Sequence, residues 1–199
     1  MRGMKFIRLA LCVVAVVLVA VSVVAAAASP ITLGAPNKFG RAKPCAVLMD
    51  GKIYLFGGQG DKTVNLGIVP MEVYDIKANT WTTMGPNSWP PQCYSAHAFV
   101  YRGKLYTAGG KGYSAPERNK KAFVYDPATE SWDELPGEAS SGHYDGQGCV
   151  IGSKLYLFGG EDDNLTNEAF DYAKAVDVFD AKTGKWSTMA PQPNPRQDS

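Results

Sequence analysis

Histidine is scarce in this chain of 199 residues, which has two, and cysteine is limited to four. Cys12, Cys45, Cys93 and Cys149 follow no zinc-ligand spacing, so neither a metal site nor a cofactor is expected. Charge of one sign is also lacking. Lys and Arg number 20 against 19 Asp and Glu, and residues 1–28 hold Arg2, Lys5 and Arg8 with no acid. Without that segment the net charge is −2, which leaves no electrostatic footprint for nucleic acid and no basic run for anionic lipid. Two suggestive motifs are incomplete. Gly57–Thr63 lacks the spacing of a phosphate loop, and Glu161-Asp162-Asp163-Asn164 lacks the Gly and closing Glu of a calcium loop. What the chain has in quantity is turn-forming residues, 21 Gly and 13 Pro, which favour an all-β fold.

The N-terminus reads as a targeting segment. A basic start is followed by an apolar run from Leu9 to Ala28, broken only by Ser22, and small residues at Ala26 and Ala28 fit a signal-peptidase site. The run is also long enough for a signal anchor, with residues 9–28 in the bilayer. Cleavage is favoured because Ser29-Pro30 follows the small-residue end. Either way the rest of the chain is expected outside the cytosol, secreted or in the secretory pathway. There Cys45, Cys93 and Cys149 would leave at least one thiol unpaired, and the sequon at Asn164 would accept a glycan in a host that glycosylates.

An internal repeat dominates the remainder. The segments Gly51–Gly58, Gly103–Gly110 and Ser153–Gly160 each end in a glycine doublet: Gly57-Gly58, Gly109-Gly110 and Gly159-Gly160. The doublets are 52 and 50 residues apart. Each is followed by an aromatic-Asp pair (Tyr74-Asp75, Tyr125-Asp126, Phe179-Asp180) and, seven residues past the aromatic, by Trp81, Trp132 or Trp186. The short apolar runs Cys45–Met49, Ala96–Tyr101 and Gln147–Ile151 precede the doublets and suit strands covered on both faces. Asp50-Gly51, Arg102-Gly103 and Gly152-Ser153 read as two-residue hairpins.

The doublet, spaced aromatic and Trp resemble the kelch repeat, over roughly residues 41–196. The resemblance implies an all-β fold of three four-stranded antiparallel propeller blades. WD40 blades are disfavoured, since Trp132-Asp133 is the only such pair. The expected organisation is a leader at 1–28, a lead-in at 29–40 that could be the outer strand of an adjacent blade, blades at 41–92, 93–142 and 143–191, and the start of a further repeat at 192–199. Kelch rings close with more blades than three. The chain is therefore expected to be a fragment of a longer propeller, one half of a pair completing a six-blade ring, or, least favoured, an open arc with exposed edges.

Function is expected on the face that carries the long connections, Gln59–Pro70, Lys111–Lys120 and Glu161–Lys174. Kelch repeats often carry Arg 16 residues before the doublet. Arg41 keeps it, Cys93 and His143 stand in its place, and Arg196 falls where the next is expected. These four, with Lys111, Tyr113, Arg118, Glu161, Asp162 and Asp163, form the candidate ligand face. By resemblance to kelch domains that bind peptides, the function is binding of a protein or glycan ligand. Catalysis is the less favoured alternative. Some secreted kelch proteins, such as galactose oxidase and a sialic-acid mutarotase, are enzymes, but the former resemblance needs two His and two Tyr on copper. Here His97 aligns with Cys45 and Gln147 on an inner strand, and no motif places tyrosines beside it or His143.

Overall fold

The computed structural model describes residues 34–60, 69–88, 94–112, 119–162 and 172–196. The leader, Cys93, Tyr113, Arg118, Asp163 and Asn164 lie outside the described residues. Fourteen strands run through the described residues, and all pairings are antiparallel. Blade 1 is β2 (Cys45–Met49), β3 (Lys52–Phe56), β5 (Glu72–Asp75) and β6 (Thr80–Thr83). Blade 2 is β7 (His97–Tyr101), β8 (Lys104–Ala108), β9 (Ala122–Asp126) and β10 (Ser131–Glu134). Blade 3 is β11 (Gln147–Ile151), β12 (Lys154–Phe158), β13 (Val176–Asp180) and β14 (Lys185–Met189). Each sheet is a simple meander, in the order the repeat predicts.

The repeat residues have separate tasks. Tyr74 pairs across the strands with Trp81, Tyr125 with Trp132 and Phe179 with Trp186, which is why the offset is always seven. The Asp after each aromatic holds the intervening turn. Its Oδ1 accepts the backbone N–H of Ala78 (2.8 Å), Ala128 (2.9 Å) or Lys182 (2.9 Å) in blades 1, 2 and 3. The segment before each blade then covers its Trp. Trp81 Nε1 donates to Ala35 O (2.7 Å), Trp132 Nε1 to Ser88 O (3.1 Å), and Gly137 lies against the Trp186 ring. The lead-in at 34–40 thus occupies the place that the turn at Pro86–Ser88 takes before blade 2, and it forms no strand.

Two apolar cores join the blades. Cys45, Val47, Met49, Phe56 and Met71 of blade 1 pack with Leu105, Tyr125 and Trp132 of blade 2, with Phe56 and Trp132 ring centroids 5.0 Å apart. Phe99, Ala108 and Ala122 of blade 2 pack with Leu155, Leu157 and Phe179 of blade 3. The inner strands do not have the two covered faces expected of them. Cys45, Val47 and Met49 are buried but Ala46 and Leu48 are exposed, and β11 is exposed throughout. A strand buries only the side facing a neighbouring blade, and successive residues point to opposite faces.

A small feature absent from the sequence reading recurs at each blade mouth. β1 (Arg41–Ala42) pairs with β4 (Gln59–Gly60) in blade 1. The bridges Tyr94 to Lys111 and Tyr144 to Glu161 are its counterparts in blades 2 and 3. Closing these bridges demands the second glycine of each doublet. A Cβ on Gly110 (φ +83°) would sit 2.6 Å from Tyr94 O, and one on Gly160 (φ +81°) 2.6 Å from Tyr144 O. Gly103 has a similar φ of +72° but nothing within 4 Å, so it separates conformational strain from collision. Gly103→Ala is expected to cost about 1 kcal/mol and Gly110→Ala about 3 kcal/mol, read from urea unfolding midpoints.

Candidate functional site

The blade mouths are built on a buried clasp. Arg41, its side chain 2% exposed, forms an ion pair with Glu72 at 2.7 Å and donates to Pro70 O (2.8 Å) and to the doublet carbonyl Gly57 O (3.3 Å). Lys38 N–H donates to the other Glu72 oxygen at 2.9 Å. His143 does the same work in blade 3. It is fully buried, with Nδ1 2.9 Å from the doublet carbonyl of Gly159 and Nε2 2.9 Å from Asp177 Oδ2. Glu72 and Asp177 both stand two residues before their blade's aromatic, at the start of the third strand. In blade 2 that place is taken by Phe123, and the position of Arg41 and His143 by Cys93. The cationic or imidazole side chain and the acid are therefore lost together.

Asp177 is the hub of the third-blade network. Besides His143 it accepts from the Ser140 hydroxyl (2.8 Å), the Ser140 and Ser141 amides (2.9 and 3.1 Å) and the Thr188 hydroxyl (2.8 Å). Burial pushes its carboxyl upward, but the hydrogen bonds from His143, Ser140 and Thr188 outweigh that and hold it at about 2. Arg41 and His143 are thus placed inside the blades, on the scaffold side of the candidate face. Arg196 contributes its backbone: its carbonyl accepts from Gly160 N at 2.7 Å, as Gly142 O does from Gly110 N at 3.0 Å. It matches Gly142 in the repeat rather than His143. Lys111 and Glu161 lie in the mouth bridges, with Glu161 buried and Lys111 Nζ 5.7 Å from the Tyr144 ring centroid. Asp162 is half-buried beside a second cavity of about 350 Å³ that also meets Ser140, Tyr172 and Lys174.

The side chains that do converge on the mouth are ones the sequence reading missed. Lys43, Ser95 and Asp145 follow Arg41, Cys93 and His143 by two residues, and all three have left-handed backbones (φ 53°, 52° and 54°). Lys43 Nζ lies 2.7 and 2.8 Å from the Asp145 oxygens, and the Ser95 hydroxyl donates to Asp145 at 2.6 Å. Three blades therefore meet on one carboxylate. Tyr94 and Tyr144 flank it edge to face at 5.5 Å. A cavity of about 260 Å³ opens among Lys43, Ser95, His97, Asp145 and Gln147. Only the shared positive φ links these three positions, and a Lys, a Ser and an Asp give no recurring letter to find.

His97 lines the inner wall of that cavity, its ring pressed against Gly148 of β11. Its Nε2 is buried with no hydrogen-bond partner among the described residues, and burial, aided by nearby His143, pushes the imidazole down to about 4. Cys45 beneath it donates its thiol to Ala96 O at 3.2 Å, and burial pushes that thiol up to about 12, which makes it unreactive. Cys45 and Cys149 are both free thiols. Among the described residues no three His, Cys, Asp or Glu side chains come together to hold a metal ion.

Two outcomes are expected. An imidazole whose folded pKa is depressed binds fewer protons than the unfolded chain between about pH 6.5 and 4, so stability is full above that window and falls as the pH drops through it. The loss attributable to His97 is about 3 kcal/mol, and His97→Gln should flatten the melting temperature across this window relative to the wild type. The buried clasp should show coupling. Arg41→Met and Glu72→Leu together should cost about 2 kcal/mol less than the sum of the single changes in chemical denaturation.

Comparison with known proteins agrees with this architecture. The family described as the KLHDC2/KLHL20/DRC7 Kelch-repeats domain matches residues 18–198. Kelch-like protein 36 of Rattus norvegicus is 28% identical over 134 residues, covering 66% of this chain and 21% of that protein. Kelch-like protein terF of Aspergillus terreus is 30% identical over 171 residues, covering 80% of this chain and 36% of that protein. The chain thus spans about a fifth to a third of the length of these curated relatives. The solved structure of YjhT superposes with a TM-score of 0.61 at 23% identity over 79% of this chain and 54% of that one, a likeness of fold. With the glycine doublets, aromatic-Asp pairs and tryptophans each placed in a four-stranded blade, the chain belongs to the kelch-repeat domain family.

Proposed function

We propose that this chain is a protein-interaction module that takes a peptide segment of its partner at the blade mouths, in the cavity bordered by Lys43, Ser95 and Asp145. The observation that carries this is the convergence of three blades on the Asp145 carboxylate at the rim of an open cavity. Lys43 and Ser95 supply donors and Asp145 supplies an acceptor, while the rings of Tyr94 and Tyr144 offer flat apolar surface beside them. A peptide backbone, with alternating N–H and C=O groups and apolar side chains between, suits that mixture. The clasps of Arg41 and His143 hold the rim rigid, which lowers the ordering cost of binding. The candidates Lys111 and Asp162 border the same face and would extend the contact outward. The apolar run Leu9–Ala28 behind a basic start supports a place for this binding outside the cytosol.

A displayed peptide library panned on the full chain tests the reading. Selected peptides should lose at least tenfold in affinity on Asp145→Ala, which releases both Lys43 and Ser95, and keep it on Ile76→Ala in the far turn of blade 1. Peptides that bind the Asp145→Ala protein as tightly as the wild type would place the ligand elsewhere.

A further inference from the structure

The mouth cavity has donors in surplus, and its acidic acceptor is already taken. Asp145 is the acid in the lining, and its two oxygens are held by Lys43 at 2.7 and 2.8 Å, with the Ser95 hydroxyl on one of them at 2.6 Å. The Lys43 side chain is 43% exposed, against 12% for Asp145, so the pair shows the ligand its positive member. Lys111 stands at the same mouth, and it forms no ion pair among the described residues. Glu161 is buried in the mouth bridge, and Asp162 borders the other cavity. An ammonium carries three donors and no acceptor, so these surroundings suit a ligand group that accepts hydrogen bonds and is itself anionic.

His97 stands in this lining with a vacancy of the same kind. Its Nε2 is buried and makes no hydrogen bond among the described residues, a state that costs free energy until a partner arrives. No acid of the fold supplies that partner. On β8, Ala108 stands opposite it; on β11, Gly148 lies against its ring; on β2, the neighbouring Cys45 keeps its thiol protonated through burial. Nearby, His143 is held between Gly159 O and Asp177. Toward the mouth stand Lys43 and Asp145, which are committed to each other. Burial and His143 therefore hold the imidazole neutral, down to about pH 4. A carboxylate brought to Nε2 from outside would satisfy the nitrogen and favour its charged form by about two pH units.

This step rests on the peptide reading above. We propose that His97 is the specificity residue of the mouth: it receives a side-chain carboxylate of the bound peptide and takes up one proton from solvent as the peptide binds. The imidazole becomes an imidazolium, both ring nitrogens become donors, and the ligand stays ionised. The other charged groups of the rim keep their states. The hydrogen bond from Asp145 holds Lys43 protonated, and although burial pushes the Asp145 carboxyl upward, the hydrogen bonds from Lys43 and Ser95 outweigh it. A pKa that is higher in the complex than in the free protein makes binding tighter as the pH falls.

The test uses peptides panned on the full chain and remade with acetylated and amidated ends, so that every carboxylate is a side chain. Peptides that depend on Asp145 should carry Glu or Asp and bind roughly tenfold tighter at pH 5 than at pH 7, read by fluorescence anisotropy. Changing that Glu to Gln, or Asp to Asn, should cost about tenfold at pH 5 and abolish the pH dependence. His97→Gln should abolish it too. The chain has two histidines, so the His97 ring-proton signals are identified by their loss in His97→Gln. Their titration midpoint should rise by about two units with the acidic peptide and stay unmoved with its amide counterpart. Asp145-dependent peptides that carry no acid, or that bind equally at both pH values, would overturn this inference and leave the peptide reading standing. A pH dependence that survives His97→Gln would assign the proton to another group and overturn it as well. A library that yields no Asp145-dependent peptide would overturn both.

Discussion

The structure depends on one close approach repeated three times: the second glycine of each doublet lies under the backbone of the blade mouth. Gly58, Gly110 and Gly160 have φ of +83°, +83° and +81°, and a Cβ on any of them would lie 2.6–2.7 Å from a mouth carbonyl. The approach lets a two-residue bridge form between the chain entering a blade and the chain leaving its second strand. That bridge sets where the inner strand begins and therefore which of its residues face the neighbouring blade. The first glycine gives its carbonyl to Arg41 in blade 1 and to His143 in blade 3. Backbone geometry and buried charge thus meet at the same dipeptide.

The clasp varies while the bridge does not. Arg41 with Glu72 and His143 with Asp177 satisfy the same carbonyl with different chemistry, and each partner would be costly to bury alone. Blade 2 has neither a cation at position 93 nor an acid at position 123. A buried carboxylate without its cation would be less stable than the apolar Phe123 found there, so the two positions change as a unit. This is also why charged or titratable residues at the blade mouths are poor guides to ligand contact: Arg41 and His143, two of the three residues at this repeat position, are consumed by the scaffold.

The proposed ligand face is built one step further along the chain. Residues in left-handed conformations two positions past the clasp turn their side chains toward the shared mouth, where Lys43, Ser95 and Asp145 meet. Their separation in sequence is large, with Lys43 and Asp145 102 residues apart, yet the blade repeat makes them neighbours.

Recurrence determined the fold from sequence alone. Doublet, aromatic-Asp pair and Trp each report a local event: a positive φ, a turn held by Asp, and a cross-strand ring pair. Such events need only residues close in sequence, so the strands and their order were legible. What tertiary structure decided was which side chains are spent and which are available. Arg41 and His143 were visible as special positions, but their acids lie 31 and 34 residues away and do not recur in blade 2. Lys43, Ser95 and Asp145 share no side-chain chemistry, and only the packing of three blades brings them to one carboxylate. Local patterns record the conformation a residue must adopt; partners supplied by other blades are recorded nowhere near it, so the site became visible only once the blades were in place.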